Sequence, residues 1–333
     1  MSDVTYFRVV VFTCLLAFVV VGLGAYTRLG DAGLGCPDWP GCYGELLVPE
    51  HEGEVEHKHY LEQRPLETHK AWKEMIHRYF AGTLGLLILL IAVVSWLKRK
   101  QSGQPVWHPL FLLGLVIFQA ALGMWTVTLQ LKPVIVMGHL LGGIATFALL
   151  FLLALRVNPR RDRSMPLAPG PFGKATALAA LLVVFTQIAL GGWTSSNYAA
   201  VACPDFPTCQ AQWWPETDFK EAFVLWRGLG VNYEYGVLEH PARVAIHLTH
   251  RIGALVTFLF VGWLGWRLIR SASSPLTQTG WLISVLLLLQ VSLGIGNVVL
   301  ALPLLVAVAH NMVGSLLLLS MVLLSFQLWR QRQ

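Results

Sequence analysis

Charged side chains are scarce in this 333-residue chain: they make up 13% of the residues, whereas hydrophobic residues make up 55%. A soluble domain of this size cannot bury so much apolar surface, so an ordinary soluble protein is excluded and lipid must solvate most of the chain. Sheets with open edges leave backbone groups unpaired in lipid, and the predicted fold class is therefore an all-α, polytopic membrane protein.

Eight apolar runs have the length of about 20 residues that a helix needs to cross the bilayer core. The predicted transmembrane helices cover residues 7–27, 72–97, 108–128, 134–156, 174–194, 243–268, 279–300 and 303–327. The first run lacks a small-residue cleavage site and continues to Arg28, so no cleavable signal peptide is expected.

Basic residues are distributed unevenly among the loops. Those that follow predicted helices 2, 4, 6 and 8 are Lys98, Arg99, Lys100, Arg156, Arg160, Arg161, Arg163, Arg267, Arg270, Arg330 and Arg332, whereas the short loops on the opposite side hold only Lys132. The positive-inside rule then places both termini in the cytoplasm. This bias explains most of the net charge of +6, so no nucleic-acid partner is expected.

Four of the five cysteines then lie outside the cytoplasm, where disulfides persist. Cys36 and Cys42 enclose the sequence Pro-Asp-Trp-Pro-Gly, and Cys203 and Cys209 enclose Pro-Asp-Phe-Pro-Thr. Each pair is interpreted as the staple of a local loop. Cys14, within the first apolar run, is interpreted as a small packing residue.

The chain contains an internal duplication. The two cysteine motifs lie 167 residues apart (203 minus 36), and the stretch 74–78, Glu-Met-Ile-His-Arg, matches 247–251, His-Leu-Thr-His-Arg, at an offset of 173. His139 matches His310 at an offset of 171. We therefore predict two pseudo-symmetric four-helix bundles in parallel orientation, residues 1–156 and 174–333, joined by a cytoplasmic linker at 157–173.

A fainter repeat runs through the odd-numbered predicted helices. Its copies are Gln119-Ala-Ala-Leu-Gly123, Gln187-Ile-Ala-Leu-Gly191, Gln290-Val-Ser-Leu-Gly294 and, in part, Leu23-Gly24-Ala-Tyr26-Thr27. Small residues let membrane helices approach closely, and ordinary helix packing is the favoured interpretation. The alternative is that these glycines make room for a flat ligand.

Four histidines lie near the outer ends of the even-numbered predicted helices: His77, His139, His250 and His310. Within a half, the two helices that carry them run in the same direction, so their histidines lie at similar depth and can face each other. Ionisable residues inside a membrane are usually functional, and imidazoles from two helices are suited to holding haem iron. A structural zinc site is the weaker alternative, because neither half has a Cys/His quartet at this depth.

Residues next to these histidines suggest further roles. Arg78 and Arg251 directly follow His77 and His250, and either could pair with haem propionates or anchor its helix at the interface.

The two halves differ at one informative position, where the first half has Glu74 and the second has His247. Helical spacing puts Glu74 on the same face as His77, so this carboxylate is a candidate general base or charge stabiliser, or else an interfacial charge. The difference suggests that one half holds a permanent haem and the other hosts a reaction.

The first outer loop contains four more histidines, His51, His57, His59 and His69. The neighbouring glutamates and lysines make a solvated loop the favoured interpretation, with copper or zinc binding as the alternative.

Several of these features together resemble the haem A synthase family of bacterial, eight-helix membrane enzymes. They are the run from Tyr26 through Cys42, the motifs Glu74-x-x-His77-Arg78 and His247-x-x-His250-Arg251, and the histidines His139 and His310. The resemblance covers nearly the whole chain. It implies an oxidoreductase that converts a methyl group of haem O to a formyl group in two successive oxidations, giving haem A for cytochrome oxidase.

The resemblance also implies roles for particular residues. His250 and His310, with Arg251, would hold a cofactor haem b, and His77 and His139, with Arg78, would hold the substrate haem O. Glu74 would be the catalytic carboxylate. Cys36 with Cys42 resembles the family's disulfide, and a pair like Cys203 with Cys209 occurs in some members. The implied location is the bacterial inner membrane with periplasmic cysteine loops, and the implied partners are a haem O synthase and an unidentified electron acceptor.

Two other functions remain open. A di-haem membrane cytochrome that only passes electrons would use the same four histidines but would not need Glu74. A thiol oxidoreductase would favour Cys-x-x-Cys spacing, whereas five residues separate the members of each pair here.

Overall fold

The computed structural model describes residues 2–101, 103–159 and 172–330, and within these ranges every regular element is a helix. The helices are α1 (Asp3–Leu29), the short α2 (His59–Gln63), α3 (Thr68–Leu97), α4 (Trp107–Thr128), α5 (Pro133–Val157), α6 (Lys174–Ser196), the short α7 (Phe219–Ala222), α8 (His240–Ile269), α9 (Ser274–Val299) and α10 (Leu304–Arg330). Eight of those in the described ranges are long and apolar enough to cross a membrane, which confirms the all-α, eight-span prediction.

Four of the long helices begin three or more residues earlier than the apolar runs predicted. They start at Asp3, Thr68, His240 and Ser274, rather than at 7, 72, 243 and 279. Their first turns are polar and extend the helix beyond the apolar stretch. In α8 and α9 a proline lies in the first turn, where the missing backbone N–H leaves no hydrogen bond unmade.

The described chain forms two compact units, the first from residues 1–157 together with 224–237 and the second from 158–223 together with 238–333. In the first unit, α1 packs against α3 and α5, and α4 packs against the same two helices. In the second unit, α6 and α9 each pack against α8 and α10. Matching helices thus make matching pairs, as a duplication requires.

Parts of the sequence that supported the predictions lie outside the described residues. Residues 160–171 include most of the predicted linker 157–173 and its arginines Arg160, Arg161 and Arg163, and Arg332 lies beyond residue 330.

Residues 224–237 come from the second half of the sequence but group with the first unit. Arg64 donates to both carboxylate oxygens of Glu234, with Nη1 to Oε2 at 3.0 Å and Nη2 to Oε1 at 2.7 Å. This hydrogen-bonded pairing raises the pKa of Arg64. The Lys132 ammonium also donates to the carbonyl of Gly228. A bidentate arginine–carboxylate pair fixes direction as well as distance, so it holds this segment in one orientation.

Candidate functional site

In the first unit, His77 on α3 and His139 on α5 lie close together. Their ring centroids are 6.3 Å apart and their planes are nearly perpendicular, at 88°. Both residues are partly buried near the end of the bundle that carries the Cys36–Cys42 loop. The two histidines predicted to face each other therefore do so.

In the second unit, His250 on α8 and His310 on α10 are each held by a glutamine. The Gln187 amide nitrogen lies 3.0 Å from His250 Nδ1 and donates to the His250 carbonyl, also at 3.0 Å. His310 Nδ1 lies 3.2 Å from the backbone carbonyl of Gln290, and the Gln290 amide nitrogen lies 3.2 Å from His310 Nε2. A histidine whose Nδ1–H donates to a carbonyl keeps the lone pair of Nε2 for a metal.

A glycine of a neighbouring helix packs against the ring of each of the four histidines. We measured the distance from a β-carbon built on each glycine to the Cε1 atom of the neighbouring ring. It is 3.0 Å for Gly24 and His77, 3.4 Å for Gly123 and His139, 3.1 Å for Gly191 and His250, and 3.1 Å for Gly294 and His310. These are the glycines of the faint repeat in the sequence. They allow helix packing, as expected, but what they specifically accommodate is the imidazole.

Glu74 lies one turn before His77 on α3 and is 5% exposed. Its Oε1 accepts from Arg78 Nη2 at 2.5 Å, and its Oε2 accepts from the backbone N–H of Cys36 at 3.1 Å. The carboxylate is thus a buried anion with a charge-assisted partner on its own helix and a second donor from the disulfide loop. A purely interfacial, solvated charge does not fit this burial.

The equivalent position in the second unit is occupied by His247, which is also 5% exposed. Its Nδ1 lies 3.1 Å from the backbone carbonyl of Ala199. The second unit therefore has an imidazole, which can be neutral, where the first unit has a carboxylate. The two sites differ in the charge they can carry at this matching position.

Arg78 and Arg251 bind the backbone of the disulfide loop in their own unit. Arg78 Nη1 donates to the carbonyls of Asp38, Pro40 and Gly41, and Arg251 donates to those of Cys203, Asp205 and Thr208. Sequence reasoning did not anticipate this use of the guanidinium groups. Pairing of these arginines with haem propionates stays a prediction. Arg251 could still make such a contact through its buried Nε, which has no hydrogen-bond partner among the described residues.

Both predicted loop staples are confirmed. Cys36 is bonded to Cys42 and Cys203 to Cys209, and Cys14 is a buried free thiol.

The two loops repeat the same backbone design. In the first, Asp38 accepts from the amides of Tyr43 and Gly44 at 2.6 and 3.0 Å. In the second, Asp205 accepts from those of Gln210 and Ala211 at 2.5 and 3.0 Å, and its pKa is held below the usual carboxylate range, mainly by its hydrogen bond with Thr208. A side chain that ties down its own loop in this way stabilises a tight turn.

Among the described residues, which include the histidine-containing loop of the first unit, no group of three or more His, Cys, Asp or Glu side chains is placed to hold a metal ion. His57 and His59 have ring centroids 5.9 Å apart, and His59 lies 4.0 Å from the ring of Tyr60. These rings pack with one another as in an ordinary structured loop.

Sequence reasoning assigned no individual role to the three glutamines of the odd-helix repeat, and the structure places two of them against the histidines and the third one turn away from one. Gln187 and Gln290 bond directly to them, and Gln119 lies with its amide against the backbone of Gly142, one turn from His139. The signal for this role was present, since each glutamine precedes a histidine-contacting glycine by four residues.

Comparison with known proteins identifies the family of this chain. A family model described as cytochrome oxidase assembly protein matches residues 7–322. A haem A synthase from Shewanella oneidensis is 48% identical over 325 residues, which cover 96% of this chain and 95% of the relative. Haem A synthases from Rhizorhabdus wittichii and Halalkalibacterium halodurans are each 26% identical and cover 92% and 90% of this chain.

Proposed function

The chain belongs to the cytochrome oxidase assembly protein family, and from this premise we propose that it is a haem A synthase, an oxidoreductase that acts on haem O. The proposed reaction converts a methyl group of haem O to a formyl group in two successive oxidations. His77 and His139 of the first unit hold the substrate, and His250 and His310 of the second hold haem b. The observation that carries this division is the buried Glu74 carboxylate, whose place is taken by His247 in the otherwise matching second unit.

The donor set fits haem in both units. Each unit presents two imidazoles from separate helices, and each imidazole packs on a glycine of a neighbouring helix. At Gly24, Gly191 and Gly294 an added β-carbon would crowd the ring. The carbonyl of Gln290 orients the His310 ring through Nδ1, and the Gln290 amide nitrogen lies 3.2 Å from Nε2, the nitrogen that would bind iron. Haem b, when bound there, supplies one-electron redox chemistry to the protein.

Glu74 is the proposed catalytic residue. Oxidation next to the porphyrin ring develops positive charge at the reacting carbon, and a fixed carboxylate in a low-dielectric site stabilises such charge more strongly than water does. Oε2 accepts the Cys36 N–H, and a carboxylate oxygen has a second lone pair with which it can accept a proton from an attacking water. Arg78 holds the other oxygen and keeps the group in one orientation.

The proposed location is a bacterial inner membrane with both termini in the cytoplasm and both disulfide loops in the periplasm. The distribution of basic residues supports this orientation, and the two disulfides suit an oxidising compartment. A haem O synthase is the proposed supplier of substrate, and an electron acceptor must regenerate the enzyme.

The test is haem extraction and chromatography from cells that make this protein together with a haem O synthase. We expect haem A from the wild-type protein and from the control Glu67→Ala, which removes a carboxylate that is 38% exposed. Glu74→Ala should retain haem b and yield unreacted haem O. Full haem A production by Glu74→Ala at normal protein levels would remove Glu74 from the mechanism.

A di-haem cytochrome that only passes electrons is the second candidate, favoured by the identical histidine–glycine contacts of the two units. It predicts the same resident haem in both units and no sensitivity to Glu74. Recovery of only haem B and unreacted haem O from folded wild-type protein would support it over the synthase.

A further inference from the structure

Gln119, on α4 of the first unit, has a buried amide without a partner. The residue is 7% exposed, and neither Nε2 nor Oε1 has a hydrogen-bond partner among the described residues. The amide lies against the backbone of Gly142, where a β-carbon built on that glycine would fall 1.8 Å from Nε2. Since Gly142 follows His139 by one turn of α5, this free amide lies one turn from a predicted substrate ligand.

The matching residue of the second unit is differently engaged. Gln290 follows Gln119 by 171 residues (290 minus 119), the same offset that relates His310 to His139. The Gln290 amide nitrogen lies 3.2 Å from His310 Nε2. The same side chain at the same place is therefore used by a histidine in one unit and left free in the other.

A free buried amide is unfavourable in any protein, because it loses its hydrogen bonds to water and gains none in return. In lipid the penalty is not relieved by solvent. Leucine would fill the same space in α4 without this penalty, so the presence of glutamine points to a partner other than the described residues.

We propose that the Gln119 amide hydrogen-bonds the oxygen that the first oxidation installs on the haem methyl group. This inference rests on the proposed function. An amide can both donate to and accept from an alcohol, and it can still donate to the aldehyde oxygen that replaces the alcohol. Gln119 is thus a substrate-binding residue that retains the half-oxidised haem in the first unit until the second oxidation occurs.

The test compares Gln119→Leu with wild type and with Gln278→Leu, a control at an exposed position in the first turns of α9. Haems are extracted from the purified protein and from the membranes, and the ratio of the alcohol to haem A is measured. Loss of one hydrogen bond to a bound ligand should raise that ratio on the order of tenfold in Gln119→Leu. Gln278→Leu should leave it unchanged.

A loss of folding stability should not account for the result, because Gln119→Leu removes an unpaired polar group. The thermal unfolding midpoint of this variant should equal or exceed that of the wild type. A second measurement is made without turnover. It compares the haem O content of the Glu74→Ala variant with that of the double variant Glu74→Ala, Gln119→Leu. The proposal expects equal haem O content, since the oxygen in question has not yet been installed.

Two results would overturn the inference. An unchanged alcohol-to-haem A ratio in Gln119→Leu, with haem A still lost in Glu74→Ala, would remove Gln119 from the reaction and leave the proposed function standing. Loss of haem O from the double variant would assign the amide to a polar group that the substrate already carries. Failure of the wild-type protein to make any haem A would instead count against the proposed function itself.

Discussion

Glu74 and Arg78 form an ion pair one helical turn apart on α3, with Oε1 and Nη2 separated by 2.5 Å. Both residues also bind the loop that Cys36 and Cys42 close, Glu74 through the Cys36 amide and Arg78 through three carbonyls. The proposed catalytic carboxylate is thus oriented by the loop as well as by its own helix. Its position should therefore depend on the order of that loop.

Replacement of Arg78 by alanine should loosen the first disulfide loop and leave the second unaffected. The change removes the two N–H bonds of Nη1 that three loop carbonyls share, and the loss of even one hydrogen bond to a charged donor costs about 1.5 kcal/mol, which corresponds to about tenfold. We expect reduction of the Cys36–Cys42 bond by a mild thiol to accelerate on the order of tenfold. Differential alkylation and mass spectrometry of the two loop peptides would measure this rate.

Arg251→Ala is the matched control, because Arg251 makes the same type of contacts to the loop of Cys203 and Cys209. It should accelerate reduction of the second disulfide only. Equal reduction rates for both disulfides in both variants would show that the guanidinium groups do not protect their loops.

Gly294→Ala should disturb the haem of the second unit. The added β-carbon would lie 3.1 Å from His310 Cε1, closer than ordinary van der Waals contact, so the ring must shift or rotate. We expect a several-fold lower content of haem b in the purified protein or a changed absorption spectrum of the haem that remains. Optical spectra and haem content per protein are the measurements.

Gly296→Ala provides the comparison on the same helix, since its added β-carbon would meet only Val306 Cγ1 at 3.6 Å. This variant should bind haem as the wild type does. If the Gly294 and Gly296 variants have identical spectra and haem content, the glycine does not position the histidine.

Order in the second disulfide loop should fall at acid pH because of Asp205. Its pKa in the folded protein lies below the usual value of 3.8, mainly because Thr208 donates a hydrogen bond to the carboxylate. The stabilisation is therefore fully present above pH 3.8 and is lost as pH falls through the lower, folded value. Hydrogen-exchange protection factors of the Gln210 and Ala211 amides should fall over this window.

Asp205→Asn would remove the titrating group and, with it, the pH dependence of that protection. Equal loss of protection on acidification in the wild-type protein and in Asp205→Asn would contradict the role of Asp205.

The helices could be predicted from the sequence because their lengths follow from the thickness of a membrane. Apolar runs predicted eight spans, and the structure differs mainly at polar first turns such as those starting at Thr68 and Ser274. Hydropathy cannot predict these turns, because polar residues also form helices and their hydropathy does not mark where a helix begins.

The pairing of His77 with His139 could also be predicted, because helix direction and the repeat offsets place both residues at the same depth. The partners of Arg78 could not. They are backbone carbonyls of a loop some 40 residues away along the chain. Every residue has such a carbonyl, so the residue types of the loop do not indicate which carbonyls face the helix.

By itself, the sequence determined the number of spans, the duplication, the disulfide pairs and the four histidines, since each depends on composition or on spacing along the chain. The tertiary structure decided which groups these residues meet. It placed the glycines against the histidine rings and the arginines against the loop carbonyls. It also left the Gln119 amide without a hydrogen-bond partner among the described residues, whereas the Gln290 amide lies within hydrogen-bond distance of His310. Such differences depend on how closely neighbouring helices approach, because a hydrogen bond forms only within a narrow range of distance and angle, and matching residue types at matching offsets do not reveal that approach.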